Sequence, residues 1–398
     1  MSSPPSGKEW GIEMKKDIRF AVLGANGRAQ GLIETWQQHP DITFTAFADI
    51  ATGRAEEVAG CYNRRYGGSA KAFTSYEEMA AGAVYDAILI ACDPDIQVDY
   101  ACDAMERGVH VITEVPAAYT IEQCWKLVET VRKTGAKYQL SEQTRYWKFI
   151  REWRRMARDG AFGKICYAEG EYLHYEPVWD NLRDRKTNYS IHSNDPADFA
   201  NPDYVPSWRY RTFQNPLYYM PHELSPLLSI TGGRIAKVCS FALPQESYMT
   251  PGLMTRDLQA ALMYTTEDVI FSLRAGFTAP FGTKKGTGAH WYQVKGVRQC
   301  VEWARSEIDT PKQYTLEDGW RAREDWTCED PQAPDYIRNA PHGGADYYPL
   351  LYFVEAIQND TQPPMDVYLA VETAAPAILA VESAKRGGVL LDVPDFRA

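Results

Sequence analysis

The stretch Asp17–Pro40, DIRFAVLGANGRAQGLIETWQQHP, decides the fold. Ile18 to Leu23 form an apolar run of strand length, Gly24 opens a turn, and apolar residues then recur at helical spacing. Strand, glycine turn and helix in that order make the first half of a dinucleotide-binding unit, because backbone N–H groups at the helix start can approach a pyrophosphate. The next strand, ITFTAFAD, ends in Asp49, 25 residues after Gly24, where a carboxylate can bind both ribose hydroxyls. Its charge repels a 2′-phosphate, which favours NAD over NADP. Asn26 stands where G-x-G-x-x-G has its second glycine, and Ala29 where it has its third. Asn tolerates positive φ and Gly27 follows it, so Gly24, Asn26, Gly27 and Arg28 are the candidate cofactor-loop residues. Taken alone, the loop also suits a strand-turn-helix in some other α/β protein.

Outward from this unit the alternation continues. Ser75 with Glu78 makes a capping box, and YDAILIACDPD reads as a buried parallel strand ending at Cys92-Asp93-Pro94. Ligands of doubly wound sheets bind beyond the carboxyl ends of strands, which makes Cys92 and Asp93 cofactor candidates. A helix over about Gln97 to Arg107 leads to the strand HVIT and then to TEVPAA, where Glu114 and Pro116 occupy the next strand end. Thr120 with Gln123 caps an amphipathic helix that Gly135 closes. Strand and helix in alternation mean a parallel sheet, so residues 16–140 read as a Rossmann domain, 1–15 as a flexible arm and 141–398 as a second α/β domain.

Composition agrees with a two-domain enzyme. The 398 residues exceed what one hydrophobic core usually holds, and 25 Tyr and 11 Trp provide rings of the kind sugars stack on. A net charge of −11 argues against nucleic acid or an anionic membrane as partner and leaves a small-molecule ligand. Eight cysteines without a Cys-x-x-Cys pair indicate neither zinc nor a disulfide framework, and His174, His192 and Asp195 lack ligand spacing, so no metal is expected. No signal-peptide core or membrane span is evident, and the expected location is the cytoplasm.

The GANGRA loop, Asp49, ACDPD and GVHVITEVPAA resemble the Gfo/Idh/MocA oxidoreductase superfamily, and the likeness runs on through AFGKICYAEGEY to VYLAVETAAPAILAVESAKRGGVLLDVPDF. It implies a C-terminal domain with a large, open, mostly antiparallel sheet that forms the sugar pocket and often a dimer or tetramer interface. The superfamily usually has Glu-Lys-Pro where this chain has Glu114-Val115-Pro116. Glu-Val-Pro is similar to the branch with glycoside hydrolase family 109, the NAD-dependent α-N-acetylgalactosaminidases. LSEQTRYW around Glu142, YAEGEYLH around Tyr172, NPLYYMPHELSP around His222 and HGGADYYPLLYFVEAI also resemble that branch. The likeness implies catalytic roles for His222 and for a tyrosine three residues before it, Tyr219, although Tyr218 competes. It implies a cycle in which bound NAD oxidises the sugar at C3, a base takes the C2 proton, the aglycone leaves, water adds and the ketone is reduced.

An imidazole, with its pKa of about 6.5 in water, suits His222 to carry the C3 hydroxyl proton. Tyr219 suits the C2 base if a neighbouring cation lowers its phenol pKa from about 10. In this reading His222 replaces the missing lysine; the alternative is that Val115 only packs and activity is lost. Glu142 is expected to grip sugar hydroxyls or the nicotinamide ribose, or else to pair with Arg145 at the surface, and Tyr172 is either catalytic or core. Arg145, Trp208, Arg209, Tyr218 and His342 are substrate-binding candidates. The cation-rich TRYWKFIREWRR and NLRDRKTNY admit a sulfonated sugar, which ranks below an N-acetylhexosaminide or neutral glycoside, because the first also reads as a helix with a solvated basic face. The segment of about 176 to 215 reads as an insertion over the pocket that sets specificity. The rivals to an NAD-dependent glycosidase are a sugar or cyclitol dehydrogenase that releases NADH and a silent sugar-binding protein.

Overall fold

Six strands, β1 (Ile18–Leu23), β2 (Ile42–Ala48), β3 (Lys71–Phe73), β4 (Ala87–Ile90), β5 (His110–Thr113) and β6 (Tyr138–Leu140), form a parallel sheet in the order β3-β2-β1-β4-β5-β6. The computed structural model describes residues 17–25, 27–174, 181–277, 290–326, 337 and 342–398; the arm 1–15 and the candidate Asn26 lie outside them. Strand order reverses between β1 and β4, where a doubly wound sheet opens a crevice.

Local chemistry sets the element ends. The Thr120 and Ser75 hydroxyls accept from Gln123 N and Glu78 N, and Gly135 ends the helix Ile121–Thr134 with φ 68°. The Glu78 carboxylate returns to Thr74 N and Oγ1, one residue earlier than a capping box places it. The strand expected to reach Cys92 stops at Ile90, because Asp93 and Pro94 already begin the helix Pro94–Glu106.

The second sheet has β7 (Ile165–Leu173) at its centre. The strands β8 (Leu182–Asp184), β9 (Ser190–Ile191) and β10 (Tyr204–Pro206) form a small separate sheet. The large sheet continues with β11 (Ile235–Ala242), β12 (Gln259–Thr265), β13 (Ile270–Gly276), β14 (His290–Gly296), β15 (Gln299–Glu302), β16 (Lys312–Thr315), β17 (Gly319–Ala322) and β18 (Leu391–Asp392), ordered β17-β16-β15-β14-β7-β13-β12-β11-β18. All its described pairs are antiparallel except β7 with β13. One face is covered by the helices Pro221–Thr231 and Val367–Lys385, the latter tied down by Ser240 N on Ser383 Oγ at 3.0 Å. Val367–Lys385 is long and apolar enough to cross a membrane by composition, but 72% of its apolar window is buried. Phe241, Leu262, Tyr264 and Ile270 of the same sheet stand exposed.

A division at residue 140 separates the strands but not their packing. Leu350, Phe353 and Val354 of the helix Tyr348–Gln358 join the core against β1 and the helix Arg28–Trp36. This return crossing carries His342 and Asp346 to the nucleotide loop.

Candidate active site

A cleft of about 260 Å³ lies at the switch point, lined by Gly24, Arg28, Asp49, Cys92, Asp93 and Trp208 among others. Gly24 has φ 84°, and a Cβ there would stand 2.4 Å from Ala91 O, so the loop passes β4 at a distance only glycine allows. Gly27, at φ 49°, faces open space at the start of the helix Arg28–Trp36. Asp49 Oδ1 accepts from Ala51 N at 2.7 Å, whereas its buried Oδ2 has no partner among the described residues. Burial raises the Asp49 pKa, against the Ala51 N–H and Arg54. A carboxylate oxygen left over on the wall of such a cleft fits a ribose hydroxyl, and with bare backbone at Gly24 and Gly27 the residues fit a dinucleotide. Burial also pushes the Cys92 thiol up, so it is a neutral wall group.

Part of the insertion covers this end of the cleft. Thr52 N donates to Thr187 O at 3.0 Å, Asn188 Nδ2 to Ile50 O at 3.2 Å, and the Tyr189 hydroxyl to Thr52 O at 3.1 Å. The segment between β8 and β9 therefore docks on the loop after Asp49, and Arg183, Asn188 and Ser190 line the cleft, in keeping with an insertion over the pocket. Residues 175–180 lie outside the described residues. Trp208 and Arg209, past β10, do reach the cleft.

Deeper in, imidazoles and rings from four elements converge. His222, on the helix Pro221–Thr231, has Nδ1 2.9 Å from Oε2 of Glu142, a fully buried carboxylate just beyond β6. The contact is close but lacks the alignment of a hydrogen bond. Glu142 Oε1 is held by Thr144 N at 2.9 Å and Thr144 Oγ1 at 2.7 Å. The same Thr144 Oγ1 lies 2.7 Å from the backbone carbonyl of His222, so its one proton is divided between that carbonyl and Glu142, and the carbonyl also accepts from the Tyr292 hydroxyl at 2.8 Å. Tyr172 of β7 sets its ring edge-on to His222 at 5.6 Å, and Tyr219 lies 5.8 Å from His222 and 5.9 Å from Tyr172.

The two competing tyrosines face different ways. The short helix Pro216–Tyr219 turns Tyr219 toward His222 and Trp208, whereas Tyr218 packs edge-on against Tyr119 at 4.7 Å. Burial pushes the Tyr219 phenol up to about 12, with Arg209 the strongest influence against it and Glu114 adding to it. The net shift is therefore upward, against the expectation of a lowered phenol: Arg209, stacked 4.8 Å over Trp208, opposes burial without overcoming it. Tyr172 is raised further, again chiefly by burial.

At the junction, Arg28 binds Asp346 through Nη1 at 2.8 Å and Nη2 at 2.6 Å, and its Nε lies 3.3 Å from Glu114 Oε1. His342 Nδ1 lies 2.9 Å from Asp346 Oδ2, and Trp36 Nε1 donates to Asp346 O at 3.0 Å. Burial opposes ionisation of Asp346, but the hydrogen bonds and charge of Arg28, with His342, hold its pKa down at about 2. Burial raises the Glu114 pKa against the attraction of Arg28. Gln97 Nε2 donates to Glu114 O at 2.9 Å and Pro116 O at 3.0 Å, which fixes the turn around buried Val115.

Arg145 is not at the surface and does not pair with Glu142: it is buried, Nη1 lies 2.7 Å from Met365 Sδ, and its guanidinium sits over Tyr146. Two cations of the helix Lys148–Arg158 are also engaged, Arg151 with the Tyr348 hydroxyl and Arg155 with Glu152 and Asp159. Sequence reasoning passed over Asp346, Gln97, Glu223 and His290. The i, i+4 spacing of His342 and Asp346 is a signal for one pair, but nothing local links Glu223 to His290.

Residues 18–142 match the oxidoreductase family with an NAD-binding Rossmann fold (Gfo/Idh/MocA), and residues 291–398 match the C-terminal domain of glycosyl hydrolase 109. A glycosyl hydrolase family 109 protein of Streptomyces coelicolor is 26% identical over 95% of this chain and 83% of its own length. An alpha-N-acetylgalactosaminidase of Tannerella forsythia is 26% identical over 98% of this chain and 88% of its own. Among solved structures, the WlbA dehydrogenase of Bordetella pertussis, in complex with NADH and UDP-GlcNAcA, superimposes with a TM-score of 0.67 at 17% identity, covering 95% of this chain and 98% of that one.

Proposed function

The chain belongs to the Gfo/Idh/MocA oxidoreductase family and carries a glycosyl hydrolase 109 C-terminal domain, and from that premise we propose that it is an NAD-dependent glycosidase acting by transient oxidation of the sugar ring. One observation carries the mechanistic part. The buried carboxylates deep in the site, Glu142 and Glu223, each rest on an imidazole, whereas ordinary glycosidases aim two carboxylates at the bond they break.

When bound, the dinucleotide supplies a reversible hydride acceptor for a ring carbon. Asp49, Gly24, Gly27 and Arg28 would hold it. His222 takes the proton of the hydroxyl being oxidised on Nε2, while Glu142 beside Nδ1 steadies the imidazolium, and the same proton returns when the ketone is reduced. The carbonyl acidifies the neighbouring C–H, and loss of that proton expels the aglycone; water then adds at the anomeric carbon and a proton at C2. Tyr219 is the candidate for the C2 proton, and only with Arg209 in place, since the phenolate has to be held against burial. Trp208 provides a stacking face. With Val115 buried, His222 supplies the proton transfer that the superfamily lysine gives elsewhere.

Arg151 and Arg155 of the helix Lys148–Arg158 are engaged within the protein, which supports an N-acetylhexosaminide or neutral glycoside, while Arg183 and Arg209 in the cleft keep a sulfonated sugar as the second reading. Exposed Phe241, Leu262, Tyr264 and Ile270 support the outer sheet face as a surface for self-association.

The test is incubation with NAD⁺ and nitrophenyl glycosides, N-acetylgalactosaminide and sulfoquinovoside included. Nitrophenol is expected without net NADH. One NADH per sugar with the glycosidic bond intact would make the protein a dehydrogenase; NAD bound with neither product would make it a silent binding protein.

A further inference from the structure

A second imidazole–carboxylate pair lies behind Tyr172, and no step above uses it. Glu223 follows His222 on the same helix, and its Oε1 is 2.6 Å from Nδ1 of His290, the first residue of β14. Both side chains are buried, and Glu223 Oε2 has no partner among the described residues. The backbone makes room for the carboxylate: Gly170 of β7 lacks a side chain, and a Cβ there would come within 2.9 Å of Glu223 Cβ and Cγ. The His290 ring lies face to face with Tyr172, centroids 4.0 Å and planes 16° apart, and 5.5 Å from His222. His290, Tyr172 and His222 thus form one run of rings whose far end is clamped by Glu223.

The titratable groups facing this pair are Glu171 and Tyr172 on β7, His174 just after it, His222, Glu142 beyond β6, Tyr292 on β14 and His342. Burial and then the charge of Glu142 push the Glu223 carboxyl well above its usual range. Burial and then the other imidazoles push His290 well below. Both shifts favour uncharged forms, and two ionised carboxylates side by side in this core would be costly.

We propose that Glu223 and His290 share one proton, stay neutral as a pair, and act as a positioning pair that holds the Tyr172 ring against His222 while Glu142 provides the carboxylate charge that His222 meets. The proposal rests on the proton-carrying role given to His222 above.

Histidine-selective ¹³C labelling of the NAD-loaded protein reads the His222 titration without turnover. Glu223→Gln mimics the protonated acid and is expected to leave the His222 midpoint within about 0.3 pH unit; a shift of about one unit or more would mean that Glu223 carries charge and would overturn the proposal. On the glycoside the protein cleaves, His290→Ala should lower kcat about ten-fold at constant KM with NAD retained, because Tyr172 loses its support. His290→Phe keeps the stacked ring and should restore most of kcat, which separates positioning from failure to fold. Unchanged kcat in His290→Ala, or no rescue by phenylalanine, would contradict the proposal. Should no glycoside be cleaved, the titration still decides the shared proton, so the two readings fail separately.

Discussion

Replacement of His222 by alanine lowers glycoside turnover by about 10³-fold while NAD stays bound, the loss expected when a positioned general acid–base is removed. The ring does not line the nucleotide cleft, and the parts of its residue that hold the fold are backbone: the carbonyl takes Thr144 Oγ1 and the Tyr292 hydroxyl whatever the side chain. The variant leaves Glu142 buried with its Thr144 contacts alone, and His222→Gln offers an amide in the imidazole's place as a control for that effect. Steady-state kinetics with equilibrium dialysis of NAD gives the answer. Turnover within about ten-fold of the parent would remove His222 as the proton carrier.

Asp346→Ala should be the most destabilising single change at the junction. It strips Arg28 of two hydrogen bonds at 2.6 and 2.8 Å and leaves His342 without the carboxylate it rests on. Removing one partner of a buried pair costs about 3 to 5 kcal/mol, and the lower end applies because the Arg28 side chain is 28% exposed. Denaturant titration measures it, and weaker NAD binding should accompany it, since Arg28 opens the nucleotide helix. The pH dependence follows from the sign of the shift. The carboxyl is held at about 2 in the folded chain against an ordinary 3.8, so its contribution is complete above about pH 4 and is lost as pH falls toward 2. The alanine variant should therefore show a shallower loss of stability than the parent across that window. A change below about 1 kcal/mol at neutral pH would show that Arg28 is held by Glu114 alone.

The nucleotide half was legible because its signals are local. The glycine at the end of β1, Asp49 at the end of β2, and the caps at Ser75, Thr120 and Gly135 each depend on neighbours within a few residues. The catalytic half depends on contacts between distant positions. His222 and Glu142 were each readable as candidates, but their pairing comes from the packing of the helix Pro221–Thr231 against the turn after β6. Tyr218 and Tyr219 are adjacent, and only the orientation of a one-turn helix separates them. Arg145 was readable as a substrate-binding cation or as a surface partner of Glu142, three residues away, yet the turn buries it beside Met365. Glu223 and His290 meet through the register of β14 on β7, which periodicity does not reveal.

Hydrolysis of a cleaved nitrophenyl glycoside in D₂O, with the sugar product analysed by NMR and mass spectrometry, reads directly whether the C2 proton leaves during cleavage. Oxidation followed by elimination removes the C2 proton and replaces it from solvent, so one deuterium is expected at C2 of released sugar and none in recovered substrate that was never oxidised. Free sugar with protium at C2 would mean that the bond is broken without that proton leaving, and the redox cycle built on His222 and Tyr219 would be wrong.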